Sequence, residues 1–433
     1  MLSTLLDSSF LSRLNAPTLH RLSNGLTVIA EHLPVEAVNM SIWLPVGSAI
    51  ESDDINGMAH FLEHMVFKGT PSLAVGEFEW EIEARGAITN AATSQDYTHY
   101  YITTSPKDFA DLAPLQLDVV LNPTIPDDAF ERERSVVLEE IRRSGDNPRR
   151  RTFQQAVETT FERLPYRRPV LGTASVVEGL SPQQMREFHA QHYHPSAMTL
   201  AVVGNLPVDD LLQIVETGIT QATADHQRHR LTSHPLKQPL LPEPAFTQVV
   251  RREVVDDSLQ QARLVMTWRV PGIQDLYQTY ALDMLANVLG HGRTARLIRD
   301  LREDRRLVSS IAVSNLNYGA QGMFYISAHL PVEHVEAVEK AIIDHLRLLQ
   351  TELVTDIEMK RMQTQVANRF IFGNETPSDR ASMYGYYQAM VGDIAPALNY
   401  PAHIQALHAI DLQVAAQQYL SPDAYAVTVL KPY

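Results

Sequence analysis

The chain has 433 residues, 45% of them hydrophobic and 20% charged, a globular composition long enough for two or more domains. Its 36 basic and 51 acidic residues leave a formal charge of −15, which argues against a general nucleic-acid binder and suits a basic or cationic partner. Cysteine is absent, so disulfides, thiolate metal sites and cysteine nucleophiles are excluded.

The first stretch, "MLSTLLDSSFLSRLNAP", has only short apolar patches broken by Asp7 and Arg13, and residues 1–19 are expected to form a flexible arm rather than a signal or transit peptide. No apolar run approaches the ~20 residues of a membrane span. Strands are expected at "GLTVIAE" and "VNMSIWLPV", and helices at "DINGMAHFLEHMVF" and "GEFEWEIEARG". A strand pair follows at "AITNAATSQ" and "THYYITTS". "PDDAFERERSVVLEEIRRS" is a helix with acidic residues in its first turn, where the macrodipole favours them. "SPQQMREFHAQHY" is another, with Ser181 as cap, Pro182 at the first helical position and Gln184 placed for a capping box. Pro235, Pro239, Pro242 and Pro244 then break up "HPLKQPLLPEPAF", which makes residues 221–246 a semi-extended linker.

Beyond the linker the first half is echoed. Trp43 and Gly47 recur as Trp268 and Gly272, "YYIT" as "FYIS", and Tyr193 as Tyr419, all at an offset of about 225 residues. The shared offset implies an internal duplication. The expected fold is α+β: two homologous α/β-layered domains, each a sheet with packed helices, at 20–220 and 247–433.

The segment "HFLEH" puts His60 and His64 at i and i+4, on one face of a helix, with Glu63 beside them. Imidazole nitrogens suit zinc, and a catalytic zinc site takes three protein ligands plus water, which a neighbouring carboxylate can deprotonate. A buried helix that merely carries two histidines has the same pattern. Nothing like H-x-x-E-H occurs near 285–290, where the repeat would place a second copy. His192 and His194, beside Tyr193 at a helix end, suit surface or capping roles.

H-x-x-E-H is the inverted zinc motif of the pitrilysin family of metallopeptidases, and "GMAHFLEHMVFKGT" resembles its mitochondrial-processing-peptidase-like branch. The similarity continues through "GAITNAATSQDYTHYY", "ERERSVVLEEI", "YRRPVLGT", "FHAQHYHPSAMTLAVVGN" and "LGHGRTARLIRDLRED". This resemblance implies one zinc per chain, with His60, His64 and Glu140 of "SVVLEE" as ligands and Glu63 as general base. The adjacent Glu139 would point about 100° away. Glu133 is implied to fix a ligand histidine. "TNAATSQ" resembles the family's substrate-binding edge strand, with Asn90, Ala91 and Thr93 as peptide contacts by strand addition.

The family also supplies, from its second half, an arginine and a tyrosine seven residues later that bind substrate and oxyanion. Arg302 matches the arginine, but Ser309 stands where the tyrosine should be, and Tyr318 lacks the spacing. His291 replaces a glycine usual in the family and has no assigned role. The resemblance therefore implies a zinc endopeptidase for short or unfolded peptides, acting in a chamber of paired subunits. The expected partner is a homologous subunit that carries the Arg/Tyr pair, in a heterodimer rather than a homodimer. The expected setting is soluble, in a bacterial cytoplasm or periplasm. The rival reading is a non-catalytic scaffold or assembly subunit of the same family.

Overall fold

The computed structural model describes residues 17–224 and 240–433. The expected arm, up to residue 16, and the central part of the expected linker, 225–239, lie outside the described residues. No helix among the described residues is long and apolar enough to cross a membrane.

The first stretch holds β1 (Thr18–Arg21), β2 (Thr27–His32), β3 (Val38–Leu44), α1 (Met58–Met65) and α2 (Glu77–Ala84). It continues with β4 (Ile88–Thr93), β5 (Thr98–Thr104), α3 (Phe109–Leu121), α4 (Asp127–Asp146) and α5 (Pro148–Thr160). Next come α6 (Pro182–His192), β6 (Thr199–Gly204) and α7 (Val208–Thr223). The second stretch holds β7 (Val250–Val255), β8 (Ala262–Pro271), α8 (Leu276–Gly290), β9 (Ser310–Leu316) and β10 (Gln321–Leu330). It ends with α9 (Val335–Thr351), α10 (Asp356–Phe372), α11 (Pro377–Val391), α12 (Ala409–Tyr419) and β11 (Ala426–Lys431).

These elements form two compact units that interleave along the chain. The first takes the described residues of 1–141, 169–237 and 371–399; the second takes 142–168, 238–370 and 400–433. The contiguous segments 20–220 and 247–433 expected from the sequence are therefore not the units. Residues 142–168 and 371–399 each pack with the sheet of the other half, because that is where their apolar faces are buried.

In the first unit the sheet order is β1-β2-β6-β3-β5-β4. Every residue of β3 and β6 is buried, as expected of central strands covered on both faces. One face packs on α1, α3 and α7 through a core that includes Val28, Met40, Ile42, Phe61, Tyr100 and Leu117. The other face takes α11 through Ile29, Ala201, Val203, Ala381 and Tyr384. Here Gly385 is needed, because a Cβ added to it would stand 2.1 Å from the Trp43 ring. Arg380 and Tyr384 of α11 each donate to the buried Glu31 carboxylate of β2, both at 2.7 Å.

The second unit repeats this layout as β7-β11-β8-β10-β9. β1 has no counterpart there; the pair β2–β6 is parallel, and so is its equivalent β7–β11. Trp43 pairs with His99 and Ile42 with Leu200; Trp268 pairs with Phe324 and Thr267 with Ala426. The offset seen in the sequence thus reappears as strand register. In this unit α5 lies on β8 and β11, with the Thr160 hydroxyl 2.7 Å from that of Thr267.

Two boundaries differ from expectation. Thr18 and Leu19, assigned to the arm, already pair with Ala30 and Ile29 of β2. At the end of the linker Glu243 is 4% exposed, accepts backbone N–H bonds from Glu162, Arg163 and Leu164, and pairs with Arg269 at 2.8 Å. Residues around Glu243 are therefore a built part of the second unit rather than free spacer.

Candidate metal centre

The helix bearing the two histidines is short. The sequence suggested helix from about Asp54, but α1 begins at Met58, since residues 53–55 form a separate single turn. Gly57 stands between them at φ +102°, a left-handed conformation that favours glycine, and a Cβ there would meet the Leu171 carbonyl at 2.7 Å. The free N–H groups of the helix start are met by Glu51, which is 4% exposed. Its carboxylate accepts from the backbone of Gly57 at 2.9 Å and Ala59 at 2.7 Å, and from the Asn56 side chain at 2.8 Å. Asn56 also donates to the Pro169 carbonyl at 3.1 Å. Glu51 fixes where α1 starts, and sequence reasoning missed it. It precedes the first helical residue by seven positions, outside any capping spacing, so no local pattern marks it.

Met58, Ala59, Phe61, Leu62 and Met65 bury one side of α1. Phe61 stacks on Phe130 of α4 with ring centroids 4.4 Å apart. On α4, Phe130, Glu133, Val137 and Glu140 recur at spacings of three and four, so they share one face. Phe130 and Val137 are buried in the core, and the two glutamates between and beyond them are thereby held against α1.

Glu133 Oε1 stands 2.9 Å from His64 Nδ1, and its other oxygen takes the Lys68 ammonium at 2.8 Å. That bond calls for the proton on Nδ1 and leaves Nε2 of His64 to face Glu140, whose Oε2 is 3.7 Å away. His60 Nε2 is 3.5 Å from the same oxygen. One ligand atom from each of His60, His64 and Glu140 lies within 4.8 Å of the others. Among the described residues this is the only such group found. Glu139 is not part of it. Two imidazoles and one carboxylate form the mixed nitrogen and oxygen donor set that zinc accepts at catalytic sites, so the residues fit the ion.

The histidines and carboxylates of the cluster also stabilise one another's charges. Burial opposes a charge on His64, but hydrogen bonds to Glu133 and then Glu140 outweigh it and raise its pKa to about 9. The hydrogen bond from His64, against burial and with help from Lys68, lowers Glu133 to about 2. Hydrogen bonds from His60 and His64 hold Glu140 well below the usual carboxylate range. Both carboxylates are therefore ionised at neutral pH.

Glu63 lies on the same helix, and Thr93 donates to its Oε2 at 2.5 Å. Thr93 ends β4, the outermost strand of the sheet, which among the described residues pairs only with β5. α1 packs directly against β4. Ala91 is half-buried and Asn90 exposed, with the Asn90 side chain accepting from the Ala91 backbone at 2.9 Å. The three residues expected to touch peptide thus sit on an open edge beside Glu63.

Arg302 belongs to the second unit, in a turn of π-helix at Ile298–Asp304, where it donates to the neighbouring Glu303 at 2.9 and 2.7 Å. The Ser309 hydroxyl bonds Gln261 at 2.9 Å and the His329 carbonyl at 3.1 Å. His192 packs its ring on Phe188 within α6, and His291 ends α8. Neither joins the metal cluster.

Comparison with known proteins bears on both halves of the chain. Residues 27–174 match the family model described as Insulinase (Peptidase family M16), and residues 179–366 match the one described as Peptidase M16 inactive domain. An uncharacterized zinc protease of Mycobacterium bovis is 29% identical over 422 residues, covering 96% of this chain and 94% of its own. The zinc protease PqqE of Helicobacter pylori is 26% identical over 417 residues, covering 95% and 92%. The crystal structure of a protease from Helicobacter pylori superposes with a TM-score of 0.89 at 25% identity, covering 96% of this chain and 100% of that one. With two family models matched in order and relatives aligned end to end, this chain belongs to peptidase family M16.

Proposed function

We propose that the chain is a zinc-dependent endopeptidase for short or unfolded peptides and the metal-bearing subunit of a heterodimer. The observation that carries this reading is the meeting of His60, His64 and Glu140 on one spot, with Glu63 on the same helix and an open strand edge alongside. A purely structural metal site needs no fourth, non-ligating carboxylate. That several relatives are named zinc proteases supports the same reading.

In this mechanism a peptide adds to the free edge of β4, so its backbone is held by strand pairing and its path runs past Glu63. His60, His64 and Glu140 hold the zinc, with Glu133 and Lys68 orienting His64. Zinc, when bound, lowers the pKa of its water towards about 7 and polarises a carbonyl. Glu63 takes the proton from the attacking water and returns it to the leaving amine. Both roles need the carboxyl group within reach of the reacting atoms, which its place beside the ligands provides.

The heterodimer half of the reading rests on Ser309. A serine hydroxyl reaches several ångströms less far than a tyrosine's, and in this structure it is bonded to Gln261 and His329. Losing one oxyanion donor costs on the order of 100- to 1000-fold in rate. A homologous partner carrying Arg and Tyr would supply the missing clamp. The test is to assay the purified, zinc-loaded chain on an unfolded peptide, alone and after adding homologous subunits, with Ser309→Tyr alongside. Weak activity that rises with a partner or with Ser309→Tyr is expected. Full activity alone, indifferent to both, removes the heterodimer. No hydrolysis under any condition, with zinc bound, favours the scaffold reading.

A further inference from the structure

We infer that Thr93 is the positioning residue for Glu63, tying the base to the strand edge on which peptide docks. This rests on the proposed role of Glu63 as general base. The Thr93 hydroxyl has one proton, and at 2.5 Å it is given to Oε2 of Glu63. Oε1 of Glu63 has no hydrogen-bond or ion-pair partner among the described residues. One oxygen is thus anchored while the other stays available to take a proton.

The anchor is itself well held. Thr93 pairs across the sheet with Thr98, which is fully buried. The Thr98 hydroxyl stands 3.3 Å from that of Thr93 and bonds the Val46 carbonyl at 2.8 Å. Thr93 is also β-branched, which restricts its χ1. A free glutamate on a helix has three torsions to settle; one strong bond to a stiff partner selects among them.

Strand and base are therefore linked. A peptide that adds to β4 orders the backbone at Thr93, and through that hydroxyl the Glu63 carboxylate. Thr93 acts through Glu63, so removing its hydroxyl should harm the chemical step more than peptide binding. Among the described residues the Asn90 side chain bonds only its own strand and has no such link to the base.

The test compares Thr93→Val and Thr93→Ser with the wild type, all zinc-loaded and with equal metal content. Val keeps the shape and loses the donor; Ser keeps the donor. Thr93→Val is expected to lower kcat about 10- to 100-fold with KM little changed, since misplacing a catalytic group costs rates of that order. Thr93→Ser should recover most of the loss. Crystal structures supply a readout independent of turnover: Glu63 should be ordered in the wild type and Thr93→Ser, and spread over several rotamers in Thr93→Val. A change confined to KM would make Thr93 a peptide contact and overturn the inference, as would a Glu63 that stays fixed in Thr93→Val. If the wild type cleaves no peptide, the peptidase reading fails on its own, and the position of Glu63 in Thr93→Val still decides whether Thr93 holds it.

Discussion

Apart from the additional edge strand β1, the two sheets share strand order, strand direction and register, yet the helix that follows β3 and the one that follows β8 have opposite characters. On α1 the exposed-to-site face carries His60, Glu63 and His64. At the repeat offset α8 carries Leu285, Val288 and Leu289, all fully buried. α8 is also longer, 15 residues against eight, because no left-handed glycine and buried carboxylate cut its start short. The scaffold therefore does not make the site. One scaffold held a cluster of ionisable groups in one copy and closed over as apolar core in the other, with the change carried by the side chains on one helix face.

The largest effect expected from this contrast is catalytic. Glu63→Gln should keep zinc at one per chain and lower turnover about 100- to 10,000-fold, the range for a lost general base. Near-normal turnover sinks the assignment, and two zinc ions per chain would break the contrast between the copies. Next, Glu140→Gln should strip the metal, whereas Glu139→Gln should not, read by metal analysis after dialysis. Loss of metal in the Glu139 variant alone would mean that the wrong carboxylate has been assigned.

In the second copy the same face should answer in stability. Leu285→Ala is expected to cost about 2–5 kcal/mol in chemical unfolding and to leave zinc content unchanged. A smaller pH effect comes from Asp283, a half-buried ionisable group on α8. Burial raises its carboxyl from 3.8 to about 6, against hydrogen bonds from Asn315 and Tyr400. Because the folded pKa lies above the unfolded one, its contribution is fully present below 3.8 and is lost as pH rises through about 6. Relative to Asp283→Asn, the wild type should lose up to about 3 kcal/mol between pH 4 and pH 7. A difference that does not change with pH would show that burial there is not felt. Smallest of all, Glu133→Gln should weaken zinc binding about 10- to 100-fold without abolishing it, since Glu133 orients His64 rather than touching the ion; competition with a chelator measures this.

Much of this was legible in the residues. The i,i+4 pair on "HFLEH" implies a shared face whatever the rest of the chain does, and the capping box at Ser181 and Gln184 forms as its spacing suggests. The repeat offset foretold two like sheets, since side-chain pattern and register are linked by the strand period. What failed was contiguity. Nothing local in "NPRRRTFQQAVETT" or "PSDRASMYGYYQAMV" says which sheet each helix will cover, because an apolar stripe specifies a need for a partner and not its identity.

The sequence by itself determined that two histidines and a glutamate share one helix face, that the second half lacks them, and that a serine stands at position 309. Glu140 rather than Glu139 was implied by the family resemblance, and tertiary structure brings it to them, with Phe130 of α4 stacked on Phe61 of α1. Tertiary structure alone revealed Glu51 capping α1 and Thr93 anchoring Glu63. Those contacts join residues up to 80 positions apart, and hydrogen bonds and ion pairs at 2.5–3.7 Å depend on how whole elements pack, which no spacing along a single element encodes.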